Sequence, residues 1–341
     1  MMSEIEKRKE EHLAISLNKD VRSGLTNGFE RWSFKHQALP ELNLEEISTA
    51  TTFLGKPLAM PLLISSMTGG TDMGDQINRI LAEAANECGI AMAVGSQRAA
   101  VENPSHAKIN LRTAAPSIPL YANLGAIQLN YGFGFKECRM AIDQIEADGL
   151  ILHLNPLQEA LQPEGQTKFK GLAKKIEQIC RQIEVPVIVK EVGWGIDAVM
   201  AGKLLSLGVA AIDVAGAGGT SWSQVEKYRS RDDSGYRIAE TFVDWGIPTA
   251  DCVVDIRKEN SEIPLIASGG ITNGVEGAKA IALGANLFGI ARPFLVAAKN
   301  GTGAVVKSIH EIQRTLIIAM FSAGAPDLKA LSMTTLIQRK P

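Results

Sequence analysis

Eight short aliphatic runs, each bounded by glycine or polar residues, punctuate the chain. They are PLLISS (61–66), GIAMAVGSQ (89–97), PLYANLG (119–125), GLILHLNP (149–156), PVIVKEVG (186–193), AAIDVAGAGG (210–219), PLIASGGI (264–271) and LFGIARPF (287–294). Runs of this length and composition are the pattern of strands buried on both faces. Amphipathic stretches separate them. In INRILAEAANECG, residues Ile77, Ile80, Leu81 and Ala84 fall on one helical face. FKGLAKKIEQICRQI and IDAVMAGKLLSLG repeat the pattern, the second ending in Gly208 as a helix C-terminus requires. Eight strand–helix alternations with right-handed crossovers predict an α/β fold, a (β/α)8 TIM barrel. A doubly wound open sheet is the alternative. It is weakened because no GxGxxG stands between the first strand and the first helix. Residues 1–60 read as an N-terminal extension, helical over KRKEEHLAISL and then polar, ahead of a barrel over 61–341. The polar insertion at 220–237 follows strand six and therefore opens on the catalytic face.

Composition narrows the class. A formal charge of −2 gives no basic surface for nucleic acid. No apolar run reaches the roughly 18 residues of a membrane span. The N-terminus, MMSEIEKRKEEH, lacks the apolar core of a signal peptide. Cys88, Cys138, Cys180 and Cys252 are far apart in helical segments, which fits reduced thiols in a cytoplasmic protein.

Candidate chemistry lies where strands end. In barrels the loops after strands seven and eight often hold phosphate. Here they read ASGGIT and GIARPF, glycines that admit an anion to the backbone, with the charge of Arg292 beside them. Asn273 is placed to cap the following helix. In strand five, Lys190 shares a side with Ile188 and Val192, and an internal lysine needs an anionic partner. That partner is either an electron-rich heterocycle such as a flavin or an ion pair within the barrel. Asn123 shares a side with Tyr121, and His153 shares one with Asn155. Gln158 and Glu159 follow, and a carboxylate there suits Mg2+ completed by phosphate oxygens and water. His153 read alone is more often a satisfied core residue. Ser96, Gln97 and Arg98 stand at the barrel mouth, where an arginine suits an anionic substrate. Arg8 and His12 lie one helical turn apart beside Lys9, a pattern that a solvated helix face also gives.

Together these stretches resemble the type 2, flavin-dependent isopentenyl-diphosphate isomerases. The resemblance rests on RKEEH (8–12), SSMTGG (65–70), GSQR (95–98), NLG (123–125), HLNPLQE (153–159), VKEVG (189–193), AGAGGTSW (215–222), SGGI (268–271) and AR (291–292). It implies FMN, Mg2+ and NADPH as reductant, in a homotetramer or homo-octamer. It implies FMN contacts from Ser66, Met67, Thr68, Ser96, Asn123, Lys190, Thr220, Gly269, Gly270, Ile271, Thr272, Ala291 and Arg292. Arg8, Lys9, His12, Ser96, Gln97, Arg98, Asn155 and Gln158 would bind substrate, and Glu159 would hold Mg2+ on its diphosphate. The implied reaction converts isopentenyl diphosphate to dimethylallyl diphosphate, with Lys190, Gln158, His153 and Glu226 as candidate catalytic groups. Two rivals stand beside it: an FMN-dependent oxidase of 2-hydroxy acids, and a flavin-binding module without catalysis. The oxidase needs a histidine base after strand six, where AGAGGTSW has none. The module has no need of an internal lysine or of a polar strand-four exit.

Overall fold

The computed structural model describes residues 4–103 and 110–339, so the ends of the expected extension and barrel, 1–3 and 340–341, lie outside it. Eight parallel strands close into a barrel in chain order. They are β1 (Leu62–Ile64), β2 (Ala91–Ala93), β3 (Leu120–Gly125), β4 (Gly149–His153), β5 (Val187–Lys190), β6 (Ala211–Asp213), β7 (Leu265–Ser268) and β8 (Leu287–Ile290). Each lies inside one of the eight aliphatic runs. The amphipathic stretches are helices, among them α1 (Glu4–Asn18) and α2 (Asp72–Cys88). Asn273 caps the helix Gly274–Ala282, its side chain accepting the amides of Val275 and Glu276. All four cysteines are free and helical.

Period-two alternation decides what fills the barrel. Leu63, Ala91, Ala93, Tyr121, Ile151, Ile188, Ala211, Ile266 and Leu287 form an apolar interior layer. A hairpin, Thr51–Phe53 with Lys56–Leu58, closes the N-terminal end by adding Phe53 and Leu58 to that layer. Its Leu54–Gly55 turn has φ of +47° and +79°, the conformation two-residue hairpins favour. A second short pairing joins Trp32–Phe34 to Leu336–Gln338. The extension thus contributes a plug at one end of the barrel and α1 at the other, where α1 packs on a helix of the 220–237 insertion.

Candidate active site

Two residues beyond the last apolar interior position of each strand the alternation continues into polar or absent side chains: Ser65, Gly95, Asn123, His153, Lys190, Asp213, Ser268 and Gly289. The C-terminal end of the barrel therefore has a polar floor. Above it lies a cavity of about 590 Å³ lined by residues of all eight strand exits and α1, within the usual range for cofactor sites. Lys190 is 7% exposed and Asp213 fully buried, and the two are paired across neighbouring strands. Lys190 Nζ donates to Glu191 O at 2.7 Å, which leaves two hydrogens free of that bond. Asp213 Oδ1 accepts from Ser268 Oγ at 2.6 Å, while its Oδ2 is buried without a partner. Burial raises the Asp213 pKa, and Lys190 opposes that rise. The carboxylate of Glu191 accepts the amides of Val192, Gly193 and Trp194 at 2.6–2.7 Å and shapes the β5 exit.

One end of the cavity is built of glycine. Gly269 and Gly270 adopt φ of +107° and +77°, and the loops after β6 and β7 touch backbone to backbone. A Cβ on Gly270 would meet Gly218 C and O at 2.5 Å. The amides of Gly270 and Ile271 donate to no group among the described residues, and Arg292 opens the adjoining helix Arg292–Ala298. Free amides, close backbone approach and a guanidinium together make an anion cradle. The hydroxyls of Ser65 and Ser66, also facing the cavity, are buried without partners. These are the groups an FMN molecule would satisfy: the cradle for its phosphate and the polar floor for its ring. Gly270→Ala is expected to cost about 2–4 kcal/mol through strain and overlap and to yield a colourless protein, checked by thermal unfolding and flavin absorbance.

The opposite wall is charged. Arg8, on α1, has no hydrogen bond or ion pair among the described residues. Burial, then the charge of Arg98, depresses its pKa. Lys9 donates to Gly69 O and Ser96 O, and burial followed by the Arg8 charge lowers it to about 8. From Asn155, at the start of helix α3 (Pro156–Leu161), a chain of hydrogen bonds runs both ways. Asn155 Nδ2 donates to Glu159 Oε1 and Gln158 Oε1. Gln158 Nε2 donates to Glu226 Oε1 on helix α4 (Trp222–Arg229). Glu226 Oε1 also accepts from His12 Nε2 at 2.9 Å. Burial lowers the His12 pKa despite that bond, while His12 and Arg229 hold Glu226 ionised against burial. The neutral ring therefore carries its hydrogen on Nε2 and leaves Nδ1 as an acceptor. Asn155 Oδ1 is buried and unpartnered beside Glu159. No group of three metal-ligating side chains exists among the described residues. One carboxylate completed by phosphate oxygens and water is the Mg2+ pattern, so the donors fit that ion and not a dedicated protein cage.

A profile of the FMN-dependent dehydrogenase family matches residues 19–111 and 155–338. An isopentenyl-diphosphate delta-isomerase of Nostoc sp. is 48% identical, covering 99% of this chain and 97% of its own. One of Rickettsia rickettsii is 49% identical over 95% of both chains. The chain belongs to the isopentenyl-diphosphate delta-isomerase family. Among solved structures it is similar to a Pediococcus acidilactici lactate oxidase, with a TM-score of 0.69 at 18% identity over 99% of this chain and 94% of that one. A mandelate oxidase gives 0.70 at 16% identity over 99% and 98%. At those identities the likeness is one of fold, the TIM barrel.

Of the residues expected from the isomerase resemblance, all but Gln97 and Glu226 line the cavity. Glu226 stands behind it, reached through His12 and Gln158. Gln97 lies between the lining residues Ser96 and Arg98, its side chain donating to Ala141 O at 2.8 Å and accepting the Asn123 amide at 3.0 Å. It ties β3 to a neighbouring helix. Asn123 is largely spent as well, with Nδ2 on Val94 O and Oδ1 on His153 Nδ1. Residues that sequence reasoning missed are Ser65, Asp213, Glu191 and Arg229.

Burial, with Lys190 and Lys9 nearby, lowers the His153 pKa from the usual 6.5 to about 3. Burial therefore favours the neutral ring. Between pH 6.5 and 3 the unfolded chain binds the extra proton, so this contribution to stability is complete above 6.5 and lost as pH falls toward 3. A His153→Gln variant is expected to show a flatter decline of unfolding free energy across that window, measured by urea titration.

Proposed function

We propose that this chain is an isomerase that converts isopentenyl diphosphate to dimethylallyl diphosphate, using reduced FMN and Mg2+, with NADPH as the source of reducing equivalents. One observation carries the reading. A glycine-built anion cradle and a second, arginine-rich anion wall belong to one cavity, with a buried lysine in its floor. A single cavity with two anion sites suits a phosphate-bearing cofactor and a phosphate-bearing substrate held together.

The reaction adds a proton to the terminal alkene carbon and removes one from the carbon next to the one bearing the diphosphate. The double bond moves and no electrons are gained or lost overall. Reduced FMN supplies an electron-rich ring that stabilises positive charge on the substrate and shares in the proton movement. The chain's own groups do the rest. Gly269–Thr272 and Ala291–Arg292 hold the FMN phosphate, and Ser66, Met67, Thr68, Ser96, Asn123 and Thr220 border its ring. Lys190 favours the anionic form of that ring by its charge. The alkene has no polar handle, so Arg8, Lys9 and Arg98 position it through the diphosphate. Glu159 holds Mg2+ there, supported by Asn155. The ionised Glu226 orients His12 and Gln158 beside the substrate, His12 presenting Nδ1 as an acceptor.

The protein acts in the cytoplasm as a homotetramer or homo-octamer. In support, no helix among the described residues is long and apolar enough to cross a membrane. Ile238 and Trp245, both more than half exposed, leave apolar surface for subunit contact. The test is turnover with FMN, Mg2+ and reductant, each omitted in turn. Loss of activity on every omission is the expected result, and turnover by the flavin-free protein would overturn the reading.

A further inference from the structure

Arg229 lies outside the cavity lining, yet its side chain is only 7% exposed and it meets three carboxylates. Nη1 donates to Glu226 Oε2 at 2.6 Å, Nη2 to Glu164 Oε1 at 2.7 Å and Nε to Glu11 Oε2 at 3.2 Å. Those carboxylates come from α4, from the segment after α3, and from α1. We propose that Arg229 is a positioning residue that assembles the substrate half of the pocket, pinning these three segments together around Glu226. The proposal rests on the functional reading above for what that half binds.

A guanidinium presents five donors on three nitrogens in a rigid planar fork and reaches three carboxylates in three fixed directions, whereas the three donors of a lysine share one nitrogen. Glu11 sits one residue before His12 and three after Arg8, so fixing Glu11 fixes the helix that carries Arg8, Lys9 and His12. Glu226, whose side chain is fully buried, uses its other oxygen to orient His12 and Gln158. Gln158 in turn orients Asn155, and Asn155 orients Glu159. The Glu159 carboxylate is also held by Gln162 Nε2 and the Gln166 amide. A fixed sequence of bonds therefore runs from Arg229 to the proposed metal-binding carboxylate. The Glu11 and Glu164 side chains are 43% and 38% exposed, so their pairs alone contribute little, but losing Arg229 leaves the fully buried, ionised Glu226 without its cation.

The test uses the full-length, FMN-loaded enzyme with Arg229→Met and Arg229→Lys. In R229M, amide exchange over residues 7–18 should accelerate and KM for isopentenyl diphosphate should rise about ten- to a hundredfold. FMN affinity should stay within about twofold, since the cradle is built by other loops. R229K should recover only part of the protection and of KM. Unchanged exchange over 7–18 and an unchanged KM in R229M would overturn the proposal. If R229M does not fold, the Glu11→Gln/Glu164→Gln double variant decides, because it keeps the Arg229–Glu226 pair. Faster exchange over 7–18 then supports the proposal and wild-type exchange overturns it. Failure of the wild type to isomerise would instead remove the functional reading, and the exchange comparison would still judge the role of Arg229.

Discussion

Replacing Lys190 with methionine lowers isomerase turnover by about 10²–10³-fold, the scale seen when one preorganised electrostatic partner is removed. The residue sits in the floor of the cavity, its amine anchored on Glu191 O and its register neighbours on the two flanking strands His153 and Asp213. Methionine keeps the length and the apolar stem but not the charge. Without that charge, a reduced flavin loses its nearby cation and Asp213 loses the one group that lowers its pKa by charge. Two readouts follow. Turnover with chemically reduced FMN falls at saturating substrate, and the pH at which the bound reduced flavin becomes anionic moves upward. Full activity in Lys190→Met with reduced FMN would refute the role given to its charge.

Replacing Arg8 with methionine raises KM for isopentenyl diphosphate by about ten- to a hundredfold, from the 1.5–3 kcal/mol of a charge-assisted hydrogen bond. FMN content is unaffected, because the cradle around Gly270 lies on other loops. A stability readout separates this from general damage. The Arg8 guanidinium has no hydrogen bond or ion pair among the described residues, and burial and Arg98 work against its charge while Glu159 and Glu164 support it. Its removal should leave the unfolding midpoint unchanged or raise it, as expected where binding machinery is kept at the expense of stability. An unchanged KM would remove Arg8 from the diphosphate clamp. A lowered midpoint together with lost flavin would show a structural role instead.

The barrel was legible because its strands are aliphatic on both faces and its helices amphipathic, and both patterns are local. Lys190 was legible for the same reason, as a charge in an apolar alternation. Asp213 obeyed the same rule, two positions after Ala211 on the interior face, and attention to that alternation would have found it. The side-chain direction of Gln97 was not legible, because strand β2 stops at Ala93. Beyond it the chain turns to start the helix Arg98–Glu102, so alternation no longer says where a side chain points. The insertion at 220–237 reads as a polar loop, but it forms α4 and the helix Asp233–Glu240. The buried face of α4 includes Ser223, Gln224, Glu226 and Lys227, so no apolar stripe marks it. Arg229 was invisible for that reason: its value comes from Glu11 and Glu164, which only the folded chain brings to it. The hairpin plug and the pairing of Trp32–Phe34 with Leu336–Gln338 depend likewise on contacts remote in sequence.

The most direct test of a flavin-assisted proton shift without net redox change is hydrogen exchange from solvent. Isopentenyl diphosphate is incubated with the FMN-loaded enzyme and Mg2+ in deuterated water, before and after reduction of the flavin, and followed by NMR. The account predicts dimethylallyl diphosphate carrying deuterium in the methyl group formed from the terminal alkene carbon, only in the reduced sample. Equal conversion with oxidised flavin, or conversion with no solvent deuterium at that carbon, would contradict it.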